Sequence, residues 1–169
     1  RALRENFPWV NVKGLTAAEI HYLAKIDGLS IEDVLKTLID AGLQAMPGGG
    51  AEVFADRVRQ LVCPDKISGE EWCRIHGIAH GMGLKSNATM LAGLGETPEE
   101  RIDHILAIRD QQDKSGGFLS FIPLNCYYEK TKIDPANALT GFENLKNFAV
   151  SRILLDNVPH VKSFWIHIG

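Results

Sequence analysis

Apolar positions along the chain form short runs that alternate with segments of helical spacing. The runs predict five strands, at residues 9–12, 43–46, 85–91, 118–124 and 163–168. The segments between them carry apolar residues three and four positions apart, the spacing that places side chains on one face of a helix. Five of these segments open with Ser or Thr followed three residues later by Glu or Asp, a typical helix N-cap. The cap residues are Thr16, Ser30, Ser68, Thr97 and Thr140.

Strands that alternate with helices predict an α/β fold with a parallel sheet and crossover helices. Five strands are too few to close an eight-stranded barrel, so we expect an open sheet or part of a barrel. The 169 residues suit a single domain, 1–169, with enough apolar content for a sizeable core. Because the chain starts with Arg1, and not Met, within a segment that its sequence predicts to be ordered, we expect it to be a fragment of a longer protein.

A run of three glycines, Gly48, Gly49 and Gly50, follows the second predicted strand and is closely followed by Glu52. Such a run indicates positive φ angles or a close approach to the backbone, either in a ligand-binding turn or in a merely tight one. A second Gly-and-Glu turn, Gly93 to Glu96, follows the third strand. Since ligands of parallel α/β folds bind at the carboxyl ends of strands, we expect both turns to border one site.

Further polar candidates lie near the same predicted edge. Asn87 and Thr89 alternate along one strand and therefore share a face, where they could contact a ligand. Asn125 comes directly after the fourth strand. Arg57 and Arg59 lie shortly after the glycines and could bind a carboxylate, although a solvated helix position is more common for arginine.

Composition narrows the classes of partner and the compartment. The net charge of −3 comes from interleaved charges, which gives no indication of nucleic-acid or membrane binding. Neither a spanning apolar segment nor a signal peptide is present, and we expect a cytoplasmic protein. Cys63, Cys73 and Cys126 are too widely spaced for a metal motif and are expected to be reduced thiols. His76 and His80 could share a metal, but packing or surface roles are favoured because a third ligand is missing.

Several motifs resemble the radical S-adenosylmethionine (SAM) enzymes of the menaquinone pathway. They are Pro47–Glu52, Arg57–Arg59, Cys63–Lys66, Glu71–Trp72, Ala79–His80, Ser86–Met90, Glu96–Pro98, Gly116–Phe118 and Phe121–Leu124. Within that family the chain is most similar to the members that make aminofutalosine, on the strength of Ser86–Asn87, Phe121–Leu124, Ala149–Arg152 and Leu155–Asn157. The futalosine cyclases and the deazaflavin-forming synthases are similar to a lesser degree. The resemblance spans essentially the whole chain.

This resemblance implies a partial TIM-type (β/α) barrel of the radical SAM kind, covering about barrel strands 3 to 7. It also implies a transferase that adds the 5′-deoxyadenosyl radical to 3-[(1-carboxyvinyl)oxy]benzoate, a small-molecule substrate, to form aminofutalosine in menaquinone biosynthesis. Dehypoxanthine futalosine cyclase or deazaflavin-type synthase activity are the alternatives within the family. A half-barrel used for binding or interaction, without catalysis, is an alternative of another class.

The resemblance also assigns residues. The SAM motif G-x-I-x-G-x-x-E aligns with residues 89–96, so that Thr89 and Leu91 replace its first Gly and Ile while Gly93 and Glu96 match. Glu52 matches a ribose-binding position and is the candidate catalytic residue. With these go Gly48, Gly49, Gly50 and Asn87 as cofactor-binding residues, and Arg57 and Asn125 as substrate-binding residues.

One departure from the family pattern concerns activity. The Cys-x-x-x-Cys-x-x-Cys motif that binds the [4Fe-4S] cluster is absent from this chain. We therefore expect the cluster ligands to lie outside it, no metal ligands within it, and no activity from the isolated chain. A reductant for the cluster is implied as a partner. Open strand edges also predict dimerisation, as a homodimer, or aggregation of an isolated partial barrel.

Overall fold

The structure is a computed structural model that describes residues 2–129 and 131–164. Within these residues, helices surround a four-stranded sheet. The helices are α1 (Ala2–Asn6), α2 (Ala17–Asp27), α3 (Ile31–Asp40), α4 (Asp56–Val62), α5 (Gly69–Gly81), α6 (Pro98–Ser115) and α7 (Gly141–Leu154), with a 3₁₀ turn at Pro135–Asn137. The strands are β1 (Ala45–Met46), β2 (Lys85–Ala92), β3 (Phe118–Asn125) and β4 (His160–Val161).

All strand pairs in the sheet are parallel, in the order β1-β2-β3-β4, and Lys13 adds a parallel bridge to Ala45 outside β1. Lys13 and Lys162 thus belong to opposite edges. Desolvation and then the Lys162 ammonium lower the pKa of Lys13. An all-parallel sheet with helices between its strands confirms the predicted partial (β/α) barrel.

The predicted N-caps are confirmed at all five positions. Each Ser or Thr hydroxyl accepts a hydrogen bond from the backbone N–H three residues later. At Thr16, Thr97 and Thr140 the glutamate at the third helical position also binds back to the cap, which completes a capping box. These local bonds define where the main helices begin.

The core lies between the sheet and the helices. Strand β2 alternates strictly: Ser86, Ala88, Met90 and Ala92 are buried, while Asn87, Thr89 and Leu91 on the other face are half-buried. Fully buried aromatic side chains of α5 and β3, Trp72 and Phe118, stack with ring centroids 5.8 Å apart. The helix-covered face therefore forms the core, and the other face of the sheet is the concave side.

Two histidines of α5 belong to this core. The Oγ of Ser86 lies 2.9 Å from His76 Nδ1 and 2.8 Å from His80 Nε2, and His80 Nδ1 lies 2.7 Å from Ser115 Oγ. The Ser115 hydroxyl donates to the Gln111 carbonyl, so it must accept from His80 Nδ1–H. His80 Nε2 then accepts from Ser86, and Ser86 accepts from His76. The pair is thus a packed, neutral, hydrogen-bonded unit, as the packing alternative predicted.

The structure corrects the predicted strand at 9–12. Trp9 and Val10 lie in a turn closed by a 3.0 Å bond from the Val10 N–H to the Phe7 carbonyl, and Trp9 is 77% exposed. The Val12 N–H donates to the Gln44 side chain at 3.0 Å. The Val12 carbonyl still accepts from the N–H groups of Gln44 and Ala45, so pairing with β1 is confined to the single bridge at Lys13.

Other boundaries also differ. The helix predicted to begin directly after the glycines begins at Asp56, because the carbonyls of residues 51 and 53 bind a side chain of that helix. Helix α1 was not predicted. The strand predicted at 163–168 is absent at 163–164, and residues 165–168 lie outside the described residues. The last strand of the sheet, β4, lies a few residues earlier, at His160–Val161, where it pairs with β3. None of the described helices has the length and hydropathy needed to cross a membrane.

Candidate functional site

A cavity of about 340 Å³ lies at the carboxyl end of β2, beside the segment that follows β1. Glu52 and Lys66 are its charged pair, and the side chains of Leu91 and Leu94 contribute an apolar wall. Its further lining residues are Val62, Cys63, Pro64, Asp65 and Ile133. The segment after the glycine turn and the Gly93–Glu96 turn meet at this cavity, as expected for turns at one edge of a parallel sheet.

The glycine turn itself is packed against the rest of the protein. A Cβ on Gly48 would lie 2.6 Å from the Asn87 carbonyl oxygen, so only glycine lets this turn lie against β2. The Thr89 hydroxyl donates to the Gly48 carbonyl at 2.5 Å. Gly49 and Gly50 pack against the start of α2. Close packing accounts for this triple glycine, and cofactor contact at these three residues stays a prediction.

Glu52 has a backbone conformation that is uncommon for a residue with a side chain. Its φ is +45°, in the left-handed region, which costs of order 1 kcal/mol or more. Its carbonyl accepts from the Leu91 N–H at 2.9 Å, which ties it to β2. Its side chain is 14% exposed, and Oε1 accepts from the Lys66 ammonium. Oε2 is buried and has no hydrogen-bond partner among the described residues.

Glu96 occupies the second turn, and its side chain is 1% exposed. Its carboxylate accepts from the N–H groups of Gly93, at 2.8 Å, and Leu94, at 2.7 Å. Arg101 Nε lies 3.1 Å from the same carboxylate. Glu96 therefore shapes the 93–96 turn by binding its backbone, and any contribution to cofactor binding would act through that shape.

The remaining predicted residues divide between two places. Asn87, Thr89 and Leu91 share the concave face of β2, and Leu91 reaches the cavity. Asn125 pairs with Ala92 at the end of β3, so strand alternation places it on the opposite face. Arg57 is exposed at the surface, where it binds both Glu100 oxygens, at 3.1 and 2.7 Å, and the Gly95 carbonyl. Hydrogen bonding to Glu100 raises the pKa of Arg57.

Lys66 and Tyr128 at this edge were not predicted as site residues, and Arg59, expected to be solvated or to meet a carboxylate, is buried instead. Lys66 pairs with Glu52, the hydroxyl of Tyr128 donates to the Gly93 carbonyl at 2.8 Å, and the guanidinium of Arg59 is buried beneath the glycine turn. Lys66 and Tyr128 lie 14 and 35 residues from their partners, so no local spacing indicates these contacts. The closeness of Arg59 to the glycines in the sequence indicated a place near the site, but its position on a predicted helix did not indicate that its side chain is buried.

The described residues contain no group of three or more His, Cys, Asp or Glu side chains arranged to hold a metal ion. Cys63, Cys73 and Cys126 are free thiols, and desolvation raises the pKa of each, to about 12 for Cys73. A thiol with a raised pKa is a poorer metal ligand and nucleophile at neutral pH. The cavity therefore combines a largely apolar wall with the Glu52–Lys66 ion pair.

These features define a partial α/β barrel with a candidate ligand site at its carboxyl edge. Two curated relatives are both "Aminodeoxyfutalosine synthase": the Thermus thermophilus protein is 51% identical over 169 residues, and the Streptomyces coelicolor protein is 45% identical over 179 residues. The alignments cover 98% and 100% of this chain. The "Cyclic dehypoxanthine futalosine synthase" of S. coelicolor is 40% identical over 99% of this chain. No family model matches the chain.

These similarities confirm the resemblance inferred from the sequence motifs: over its whole length the chain is a relative of the futalosine-pathway enzymes. The chain spans less than half the length of these curated relatives, 45%, 46% and 42% respectively.

Proposed function

We propose that the protein carrying this chain is an aminodeoxyfutalosine synthase that uses SAM and 3-[(1-carboxyvinyl)oxy]benzoate as substrates. Identity to the two proteins of that name is higher, at 51% and 45%, than the 40% to the cyclase. SAM, cleaved reductively at a [4Fe-4S] cluster, supplies the 5′-deoxyadenosyl radical in this chemistry. The part of the protein described here would hold the nucleoside and exclude water from it.

The residues of the carboxyl-edge cavity fit a nucleoside. The buried Oε2 of Glu52 has free acceptor capacity, which suits a ligand hydroxyl or amino group, and leaving it unused in the bound state would be costly. Leu91 and Leu94 offer an apolar wall for a flat base. The volume of about 340 Å³ falls in the range of roughly 300–1,000 Å³ that is usual for small-molecule pockets. The orphaned Glu52 oxygen is the observation that carries this assignment.

The described residues do not fit the cluster, because no cysteine triad is available among them. We therefore assign the cluster ligands to another part of the polypeptide. The reductant and homodimer formation stay predictions of the proposal. The acceptor would approach the same carboxyl edge from the concave side of the sheet, near Asn87 and Thr89.

The test is binding and product formation by the complete protein that carries this chain. We expect Glu52→Gln to weaken SAM binding about tenfold, because a charge-assisted hydrogen bond of roughly 1.5 kcal/mol is replaced by a weaker one. Equilibrium dialysis with SAM, without reductant or acceptor, measures this apart from turnover. Glu70→Gln, the same change at an exposed position of α5, is the control and should bind normally.

Product analysis separates the proposed reaction from its alternatives. Aminodeoxyfutalosine should form from SAM and the enol ether, and dehypoxanthine futalosine should not be cyclised. Cyclisation without aminodeoxyfutalosine formation would transfer the assignment to the cyclase. Normal SAM affinity in Glu52→Gln would remove Glu52 from the binding site.

A further inference from the structure

Arg59 of α4 is a buried cation with an unusual set of partners. The residue is 3% exposed, and among the described residues its guanidinium contacts no carboxylate. It donates instead to three backbone carbonyls: Ala51 at 2.6 Å, Val53 at 3.2 Å, and Ile67. Burying a charge is costly unless its donors are hydrogen-bonded. The three carbonyls must therefore point toward the guanidinium, which restricts the conformation of the backbone around them.

The carbonyls bound by Arg59 flank the two members of the cavity's ion pair. Ala51 and Val53 are the neighbours of Glu52, and Ile67 follows Lys66. Carbonyls 51 and 53 point to Arg59, while the carbonyl of Glu52 itself accepts from the Leu91 N–H at 2.9 Å. The peptides around Glu52 are thus held from both sides, which fixes a conformation that its φ of +45° would otherwise disfavour.

We propose that Arg59 is a positioning residue for the nucleoside site: one guanidinium joins the 51–53 segment to the 66–67 segment and so holds Glu52 against Lys66 at the wall of the cavity. This inference rests on the proposed function, in which Glu52 binds SAM. Arg59 acts through backbone that it orients and does not itself touch the ligand. Arginine is required because its planar fork of donors reaches separate acceptors that a single ammonium cannot span.

The first test is Arg59→Lys in the complete protein, which keeps the charge and removes the fork. SAM binding, measured by equilibrium dialysis without turnover, should weaken about tenfold, the scale set by losing charge-assisted hydrogen bonds. Arg74→Lys, the same substitution on the exposed surface of α5, should bind SAM normally. Unchanged affinity in folded Arg59→Lys would overturn the proposal.

A double variant distinguishes positioning from a general loss of structure. If Arg59 acts through Glu52, adding Arg59→Lys to Glu52→Gln should weaken SAM binding by less than twofold beyond Glu52→Gln alone. A further tenfold loss would mean that the two residues act independently, which contradicts the proposal.

Native-state hydrogen exchange of the unsubstituted protein provides a measurement that needs no variant to fold. Amides in 50–54 and 66–68 should open together, with the same dependence on denaturant, because one side chain joins them. If the two segments open separately, Arg59 does not join them and the proposal is wrong. Joint opening combined with normal SAM binding by Glu52→Gln would support the positioning role and reject the proposed site, so the two failures are distinguishable.

Discussion

Acid should destabilise this fold through buried histidines, because burial disfavours the charged, doubly protonated ring. His76 and His104 are 0% and 1% exposed. Desolvation lowers the pKa of each ring to about 3, with the neighbouring His80 adding to the effect at His76. His76 donates to Ser86, whereas His104 Nε2 donates to the Thr89 carbonyl at 3.0 Å. Both rings are therefore neutral in the folded protein at any moderate pH.

The size of the effect follows from proton uptake by the unfolded chain. There each histidine has a pKa near the ordinary 6.5, so it binds a proton first as the pH falls. The stabilisation from each neutral ring is complete above about pH 6.5 and is lost as the pH falls toward the folded pKa. At pH 5 the loss is about 2 kcal/mol for each ring, or roughly 4 kcal/mol for both. The total free energy of unfolding of a domain is only about 5–15 kcal/mol, so this loss is a large part of it.

Urea denaturation at pH 7 and pH 5 measures this loss. His76→Asn keeps an amide donor near Ser86 and cannot titrate, so its free energy of unfolding should change with pH by about 2 kcal/mol less than that of the unsubstituted protein. His160→Asn, at an exposed position, is the control and should leave the pH dependence unchanged. The same pH dependence in His76→Asn and the unsubstituted protein would refute the reasoning.

Two further predictions concern the turns at the carboxyl edge. Gly48→Ala should destabilise the fold by about 3 kcal/mol or prevent folding, because its Cβ would meet the Asn87 backbone at 2.6 Å. Gly14→Ala is the control and should be tolerated, because a Cβ there meets nothing within 4 Å. Equal melting temperatures of the two variants would contradict this prediction. Glu96→Gln should cost about 2 kcal/mol in urea denaturation, since an amide cannot accept from both turn N–H groups. Exposed Glu99→Gln is its control, and a loss no larger than that control's would argue against the role assigned to Glu96.

Elements with local causes were predictable. The caps at Thr16 and Thr97 follow from residues three positions apart, and the long strands β2 and β3 follow from runs of apolar residues. The 9–12 segment has the same apolar character but forms no strand, because a distant side chain, Gln44, takes its Val12 N–H. Strand pairing at an edge depends on partners far along the chain, which periodicity does not report.

The candidate site shows the same division. Its location at the carboxyl edge, near Glu52 and Glu96, follows from strand order and from the resemblance to the futalosine-pathway enzymes. Arg57 and Arg59 have the same side chain two positions apart, yet one is at the surface with Glu100 and the other is buried against three carbonyls. Their different burial is decided by how α4 packs on the glycine turn.

The sequence by itself therefore determined the alternation of strands and helices, the helix starts and the family to which the chain is related. The first two depend on contacts between residues close in sequence, and the family relationship depends on sequence motifs that this chain shares with its relatives. Only the tertiary structure decided that the glycines serve close packing, that Lys66 pairs with Glu52, and that one Glu52 oxygen is left without a partner. The physical reason is that burial and hydrogen-bond satisfaction depend on every group that surrounds an atom, and most of these groups come from distant parts of the chain.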